Sequence, residues 1–250
     1  MAGGSRDPVR GGGMSGRRRW SSLERDLRRT GGQFIAGVDE VGRGSLAGPV
    51  VACAVVMPPD ARALAGVNDS KQLTAPQRIT LAARIRHHAL AVALGAASAR
   101  EIDRVNIYHA TVLAMRRALL RLRIAPDHVL VDGRPIRTLG VPHTAVVGGD
   151  GRCFSIACAS IVAKVTRDAL MRALARRHPG YGWERNVGYG TQTHWSALDA
   201  IGRCPHHRLT FTHSRQLTLS LTFDSVDTPA DGMMDDVITD GQSPGREHLV

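Results

Sequence analysis

The chain has no run of about 18 apolar residues, the length a helix needs to cross a bilayer. Its most apolar stretch, Leu46 to Met57, is short and contains Gly48 and Pro49. Aromatic residues are scarce at 4%, so a core must be built from Ala, Val, Leu and Ile. Cysteine is scarce too. Cys53, Cys153, Cys158 and Cys204 show no C-x-x-C spacing. That argues against a disulfide framework or a zinc site and fits a reducing cytoplasm. The Gly/Arg-rich start offers no apolar segment for a secretory signal. Lysine is nearly missing: only Lys71 and Lys164 stand among 33 basic residues. GC-rich coding produces such a ratio, but arginine cannot replace a compact ammonium at a tight site.

What is abundant is positive charge. The formal net charge is +11, which suits a polyanionic partner, nucleic acid above all. Residues 1–30 carry eight Arg and six Gly against three acids. They read as a mobile basic arm with a short helix near Ser21–Arg29. Residues 223–250 carry seven acids and one Arg, and read as a disordered acidic tail. The basic excess therefore belongs to residues 31–222, the expected folded domain.

Within that domain, strand and helix patterns alternate. Gln33–Asp39, Pro49–Met57 and Ala89–Ser98 read as strands. Thr74–His88 reads as a helix, with a Thr cap and Pro76 in its first turn. Asn106–Arg123 is a second helix. His128–Asp132 and His143–Val147 are further strands. Ser155–Arg177 is a long helix ended before Pro179, and Thr191–Ile201 a short one. The pattern predicts an α/β layered domain with a mixed sheet.

Acids gather at the ends of these strands: Asp39-Glu40, Asp132 and Asp150, each beside glycine. Ligands of α/β sheets bind at such ends. Clustered carboxylates repel unless a cation lies among them, and hard oxygen donors favour Mg²⁺ or Mn²⁺. Two such ions about 3.5–4 Å apart can activate water and stabilise the oxygen leaving a phosphodiester. A cation site inside a basic surface is the logic of a metal-dependent nuclease. From pattern alone the same acids also read as turn and cap residues.

Longer motifs decide between these readings. Gly37-Val38-Asp39-Glu40-Val41-Gly42-Arg43-Gly44-Ser45-Leu46-Ala47-Gly48-Pro49-Val50-Val51 closely resembles the opening signature of ribonuclease HII. The resemblance continues, in the family's order, through Asp69-Ser70-Lys71-Gln72-Leu73, Val131-Asp132-Gly133 and Gly149-Asp150. It then runs from Ser155 to Asp168 and through Gly188-Tyr189-Gly190-Thr191, His194 and Pro205-His206-His207-Arg208. It spans about residues 34–212, and both lysines fall inside it.

The resemblance implies an RNase H-like mixed five-stranded sheet flanked by helices, with a helical C-terminal extension. It implies cleavage of the RNA strand of RNA–DNA hybrids. It further implies incision 5′ of single ribonucleotides in duplex DNA, leaving 3′-hydroxyl and 5′-phosphate ends. The family's catalytic, metal-binding carboxylates map onto Asp39, Glu40, Asp132 and Asp150, serving two Mn²⁺ or Mg²⁺ ions. Gly42-Arg43-Gly44 maps onto the loop that reads the 2′-hydroxyl, the group that separates RNA from DNA. Tyr189 maps onto the residue that stacks on the following deoxyribose; without the resemblance it reads as a core tyrosine. Lys71, Lys164 and Arg43 are candidates for phosphate contacts, although Lys164 also reads as a solvated helix residue. The expected unit is a monomer acting on hybrid and ribonucleotide-containing duplexes, with no membrane partner.

The remaining motif residues read as structural. His194 and His206-His207 suit packing or phosphate hydrogen bonds better than a metal. Thr166, Arg167 and Asp168 read as helix-surface residues, and Leu113 and Met115 as partly core. Glu101 and Asp103 read as acids at a helix start. Four positions depart from the family: Val187 where a lysine often precedes Gly-Tyr-Gly, Cys158 for alanine, and Leu209 and Thr210 for a more basic, serine-containing pair. Ribonuclease HIII is the nearest alternative, but thirty Gly/Arg-rich residues cannot supply its folded N-terminal domain. A nuclease-dead hybrid-binding protein would lack an acid, and all four are present.

Overall fold

A computed structural model describes residues 21–60 and 64–211. Five strands form one mixed sheet: β1 (Ile35–Val41), β2 (Val50–Val56), β3 (Ala91–Ala97), β4 (His128–Asp132) and β5 (Thr144–Val146). Their order is β3-β2-β1-β4-β5. β2 is antiparallel to both neighbours, whereas β1, β4 and β5 run parallel. Among the described residues the helices are α1 (Ser22–Arg29), α2 (Ala75–His88), α3 (Ala99–Leu120), α4 (Gly149–Arg152), α5 (Phe154–Arg177), α6 (Trp183–Asn186) and α7 (Gln192–Ile201). The expected α/β class, with its helical C-terminal extension, is the one found. No helix among the described residues is long and apolar enough to cross a membrane.

β2 is buried at every position, as a strand covered on both faces must be. Its alternate side chains serve different layers. Val50, Ala52, Ala54 and Val56 join α3 residues Ala110, Ala114 and Ala118. Cys53 and Val55 join Ile85 of α2 and Ala157 and Ile161 of α5. Small aliphatic residues thus build the layers that aromatics do not. α5 lies directly on β1. A Cβ at Gly37 would stand 2.1 Å from the Ser155 carbonyl carbon, so only glycine permits this approach.

Two elements differ from expectation near the acids. β1 extends to Val41 because its ladder with β2 continues to the Val41–Val51 pair. Asp39 and Glu40 therefore lie inside the strand. α3 starts at Ala99, seven residues early, because Ser98 and Glu101 form a reciprocal capping box there. Asn106 interrupts the helix at φ 67°, and its Oδ1 accepts the His109 N–H at 3.1 Å, restarting it. The expected start at Asn106 is thus the start of the second segment.

The end of the N-terminal arm also needs correction. α1 forms where the short helix was expected, but it packs on the domain. The Glu24 carboxylate is fully buried and accepts the N–H groups of Phe154 and Ser155 at the start of α5. Residues 21–30 thus belong to the fold. The expected disorder of 1–20 and 223–250 lies outside the described residues. A test of the arm should therefore delete residues 1–20 only. If their arginines meet phosphates, the salt dependence of duplex binding becomes shallower than in the full chain. An unchanged slope would remove the arm from nucleic-acid binding.

Candidate active site

The parallel arrangement of β1, β4 and β5 sends their C-terminal ends to one sheet edge. The register pairs Val38 with Val131, so Asp39 and Asp132 follow side by side on neighbouring strands. β5 leads through Gly148 into α4, which carries Asp150. Asp150 thus lies one turn beyond a strand end rather than at it. Asp39 and Glu40 are adjacent in β1, so their side chains leave opposite faces. Asp39 lies toward α5, while Glu40 also borders α3 residues Thr111 and Met115.

A cleft of about 300 Å³ opens at this edge. Nine of the ten residues singled out in the sequence line it: Asp39, Glu40, Gly42, Arg43, Gly44, Lys71, Asp132, Lys164 and Tyr189. The tenth, Asp150, joins through its Oδ2, 3.2 Å from the Lys71 ammonium. Val41, Ser70, Arg78 and Ser160 complete the lining.

The electrostatics are those of crowded, half-dehydrated carboxylates. Burial raises Asp39 well above the usual carboxylate range, and the charges of Glu40 and Asp132 add to the shift. Burial also raises Glu40, against the opposing pull of Arg43, whose Nη1 lies 3.2 Å from Oε1. Asp132 is raised by burial, against the Gly149 N–H donating to its Oδ1 at 2.7 Å. The hydrogen bond to Asp150 raises Lys71. Among the described residues, no three His, Cys, Asp or Glu side chains sit close enough to hold one ion. The donor set nevertheless suits divalent cations. It is all hard oxygen, and a cation would relieve the repulsion that raises three of its members.

The glycine loop beside the acids is held rigidly by two buried arginines. Arg208 is fully buried and donates to the Gly42, Arg43 and Gly48 carbonyls at 2.6–3.0 Å. Arg167, expected on the helix surface, is also fully buried and donates to Ala47, Pro49 and Val187 carbonyls. It is drawn inward because those loop carbonyls have no sheet partner there. Gly42 has φ +89°, and a Cβ would stand 2.0 Å from Arg167 Nε. Gly44, by contrast, has open space where a Cβ would be, so a ligand can approach its backbone.

Lys164 is partly buried and bonded to Asp168 at 2.7 Å, so it is not a freely solvated residue. Tyr189 is 36% exposed at the cleft rim rather than in the core. Its carbonyl accepts from His194 Nδ1 at 2.9 Å. His194 Nε2 in turn meets Trp183 Nε1 and His207 Nε2, while His207 Nδ1 accepts the Cys204 N–H at 2.9 Å. With His194 Nδ1–H donating to Tyr189 and His207 Nε2–H donating to His194, both imidazoles are neutral, and the burial of His194 and His207 fits the packing reading of these two. Asp103 does more than begin a helix: it accepts from the Leu209 and Thr210 N–H groups and ties the C-terminal extension to α3. Val187, buried in the left-handed region at φ 43°, supplies a carbonyl to Arg167.

Burial pushes His207 down to about 4 from an ordinary value of 6.5. The unfolded chain binds this proton first as pH falls. The network's contribution is therefore full above pH 6.5 and lost as pH drops toward 4. Asp39, Glu40 and Asp132 are shifted upward and act in the opposite sense. A His207→Gln comparison isolates the histidine. The wild type should lose melting temperature more steeply than the variant between pH 6.5 and 4, and parallel curves would contradict the neutral network.

The ribonuclease HII family model matches residues 36–214. The chain belongs to the ribonuclease HII family. The ribonuclease HII of Thermosynechococcus vestitus is 58% identical over 182 residues, covering 72% of this chain and 84% of that protein. Ribonuclease H2 from Pyrococcus horikoshii superposes with a TM-score of 0.61 at 27% identity, covering 71% of this chain and 93% of that one. The RNase HII of Archaeoglobus fulgidus, solved in complex with PCNA, superposes with a TM-score of 0.61 at 26% identity, covering 74% and 98%. As a ribonuclease HII, the chain is a metal-dependent type 2 ribonuclease H that cleaves the RNA of RNA–DNA hybrids. α1 lies outside the matched span.

Proposed function

We propose that this ribonuclease also incises duplex DNA at a single embedded ribonucleotide, cutting on its 5′ side and leaving 3′-hydroxyl and 5′-phosphate ends. The observation that carries this reading is the sharing of one cleft by Asp39, Glu40 and Asp132 with the Gly42–Gly44 loop and Tyr189. Recognition of one 2′-hydroxyl and recognition of the next deoxyribose are thereby adjacent to the acids.

Asp39, Glu40, Asp132 and Asp150 would hold two divalent cations, Mg²⁺ or Mn²⁺. When bound, these supply the Lewis acidity that activates water and stabilises the departing 3′-oxygen. The chain's own residues do the positioning. The loop anchored by Arg208 offers the open backbone of Gly44 to the ribose. Arg43, Lys71 and Lys164 face the phosphates as charge partners that carry no base preference. Tyr189 offers its ring to the deoxyribose on the 3′ side, with Arg167 at 5.7 Å from the ring centre. All these groups come from one chain, so a monomer suffices. Its four cysteines are free thiols, which suits a reducing cytoplasm.

Tyr189→Ala tests the junction role. It should lower kcat/KM about tenfold on a duplex with one ribonucleotide, the scale of one lost aromatic stack. A duplex with four consecutive ribonucleotides should lose less at its internal sites, where a ribose follows. Equal losses on both would remove junction recognition from Tyr189.

A further inference from the structure

A second cleft, of about 410 Å³, opens on the other side of the same carboxylates. Glu40, Arg43 and Asp132 line both clefts. Its floor is apolar and buried: Val112 and Met115 of α3, with Ile136 after β4. Its rim carries Tyr108 and Arg134. Tyr108 is 42% exposed, a large ring on the surface of a chain with few aromatics. It sits in the first turn after the Asn106 kink. That kink has φ 67° and ψ 168°, a region nearly reserved for glycine and costly for asparagine. Arg134 is exposed and forms no ion pair among the described residues.

Strand direction assigns this cleft its occupant, on the reading of the reaction given above. With the ribonucleotide on Gly42–Gly44 and the next deoxyribose on Tyr189, the 3′ side of the cleaved strand fills the first cleft. Continued across the carboxylates, the same strand enters the second cleft in the 5′ direction. We propose that the second cleft binds the nucleotide immediately 5′ of the scissile phosphate, the one that carries the departing 3′-oxygen. Tyr108 packs its ring on that nucleotide's sugar. Arg134 meets the phosphate one step further 5′. The apolar floor keeps water from the sugar face, and the two clefts together grip the strand on both sides of the bond to be cut.

The test uses two duplexes, each with one ribonucleotide. One is unmodified; the other has a neutral methylphosphonate in place of the phosphate one step 5′ of the scissile one. Arg134→Ala should lower kcat/KM about fivefold on the first, mainly through KM, as for an exposed charge pair. On the second it should cost nothing further, because the partner charge is already gone. Tyr108→Ala should lose about tenfold on both, and Tyr108→Phe should retain wild-type rates, since the ring and not the hydroxyl makes the contact. Both side chains are exposed, so all variants should melt with the wild type. Independent, multiplying losses from Arg134→Ala and the methylphosphonate would overturn the subsite, as would an unaffected Tyr108→Ala. Failure of the wild type to cut the unmodified duplex would overturn the reading of the reaction and this subsite with it. Normal wild-type cutting with unaffected variants would remove the subsite alone.

Discussion

Replacing Asp39 by Asn is expected to abolish cleavage while raising the melting temperature. Asp39 is 6% exposed, and burial together with two neighbouring negative charges disfavours its ionised form. Ionising that carboxyl is therefore a cost to the fold. Asparagine keeps the shape and can still accept the Glu40 N–H, which Asp39 Oδ1 takes at 2.7 Å. Removing the charge should raise the melting temperature by about 2 °C or more, the usual direction when a strained functional group is neutralised. Activity should fall by well over about 100-fold, the loss that even outer-shell partners of metal ligands can produce. Hybrid binding should survive, because the basic residues proposed to face the phosphates are untouched. Calorimetry and a cleavage assay on one preparation decide the matter. Near-normal turnover, or a lower melting temperature, would contradict the account of the acids.

The largest effect on stability is expected at Glu24, which does not line the cleft. Its carboxylate accepts from Ser21 N–H at 2.8 Å, Phe154 N–H at 3.0 Å, Ser155 N–H at 2.8 Å and the Ser155 hydroxyl at 2.7 Å. One buried side chain thus closes the capping box of α1 and satisfies the first N–H groups of α5. Glu24→Ala would leave several of these donors buried and unpaired. The expected cost is about 3 kcal/mol or more. At about 2–4 °C per kcal/mol for a domain of this size, the midpoint should fall by roughly 6–12 °C. Cleavage per folded molecule should change little at temperatures well below that midpoint. A shift of about 1 °C or less would show that α1 does not hold α5.

The acids, the glycine loop and the two lysines were legible because each lies in a short, locally distinctive motif. The parallel ends of β1, β4 and β5 then bring those motifs together, as strands ending in acid and glycine predict. The strand and helix boundaries were less legible where tertiary contacts set them. β1 runs on because β2 pairs with it, and α3 begins early because Ser98 and Glu101 cap it. Least legible were the long-range anchors. Arg167 is indistinguishable from a surface residue in helical periodicity, and its inward turn depends on loop carbonyls 118 and 120 residues away. Arg208 reaches Gly42 across 166 positions, and Glu24 reaches Ser155 across 131. The inward turn of these side chains carries little local signal, because most of their partners are backbone groups that any sequence supplies.

The most direct test of the reaction uses three end-labelled duplexes: all DNA, DNA with one ribonucleotide, and DNA with four consecutive ribonucleotides. Each is incubated with the full chain and Mg²⁺ or Mn²⁺, beside an EDTA control. The cleft predicts a cut on the 5′ side of the single ribonucleotide, only with metal, and none in the all-DNA duplex. Cutting of the four-ribonucleotide duplex alone would keep the acids but contradict the roles given to Gly42-Arg43-Gly44 and Tyr189. Binding without cutting under either metal would contradict the central claim.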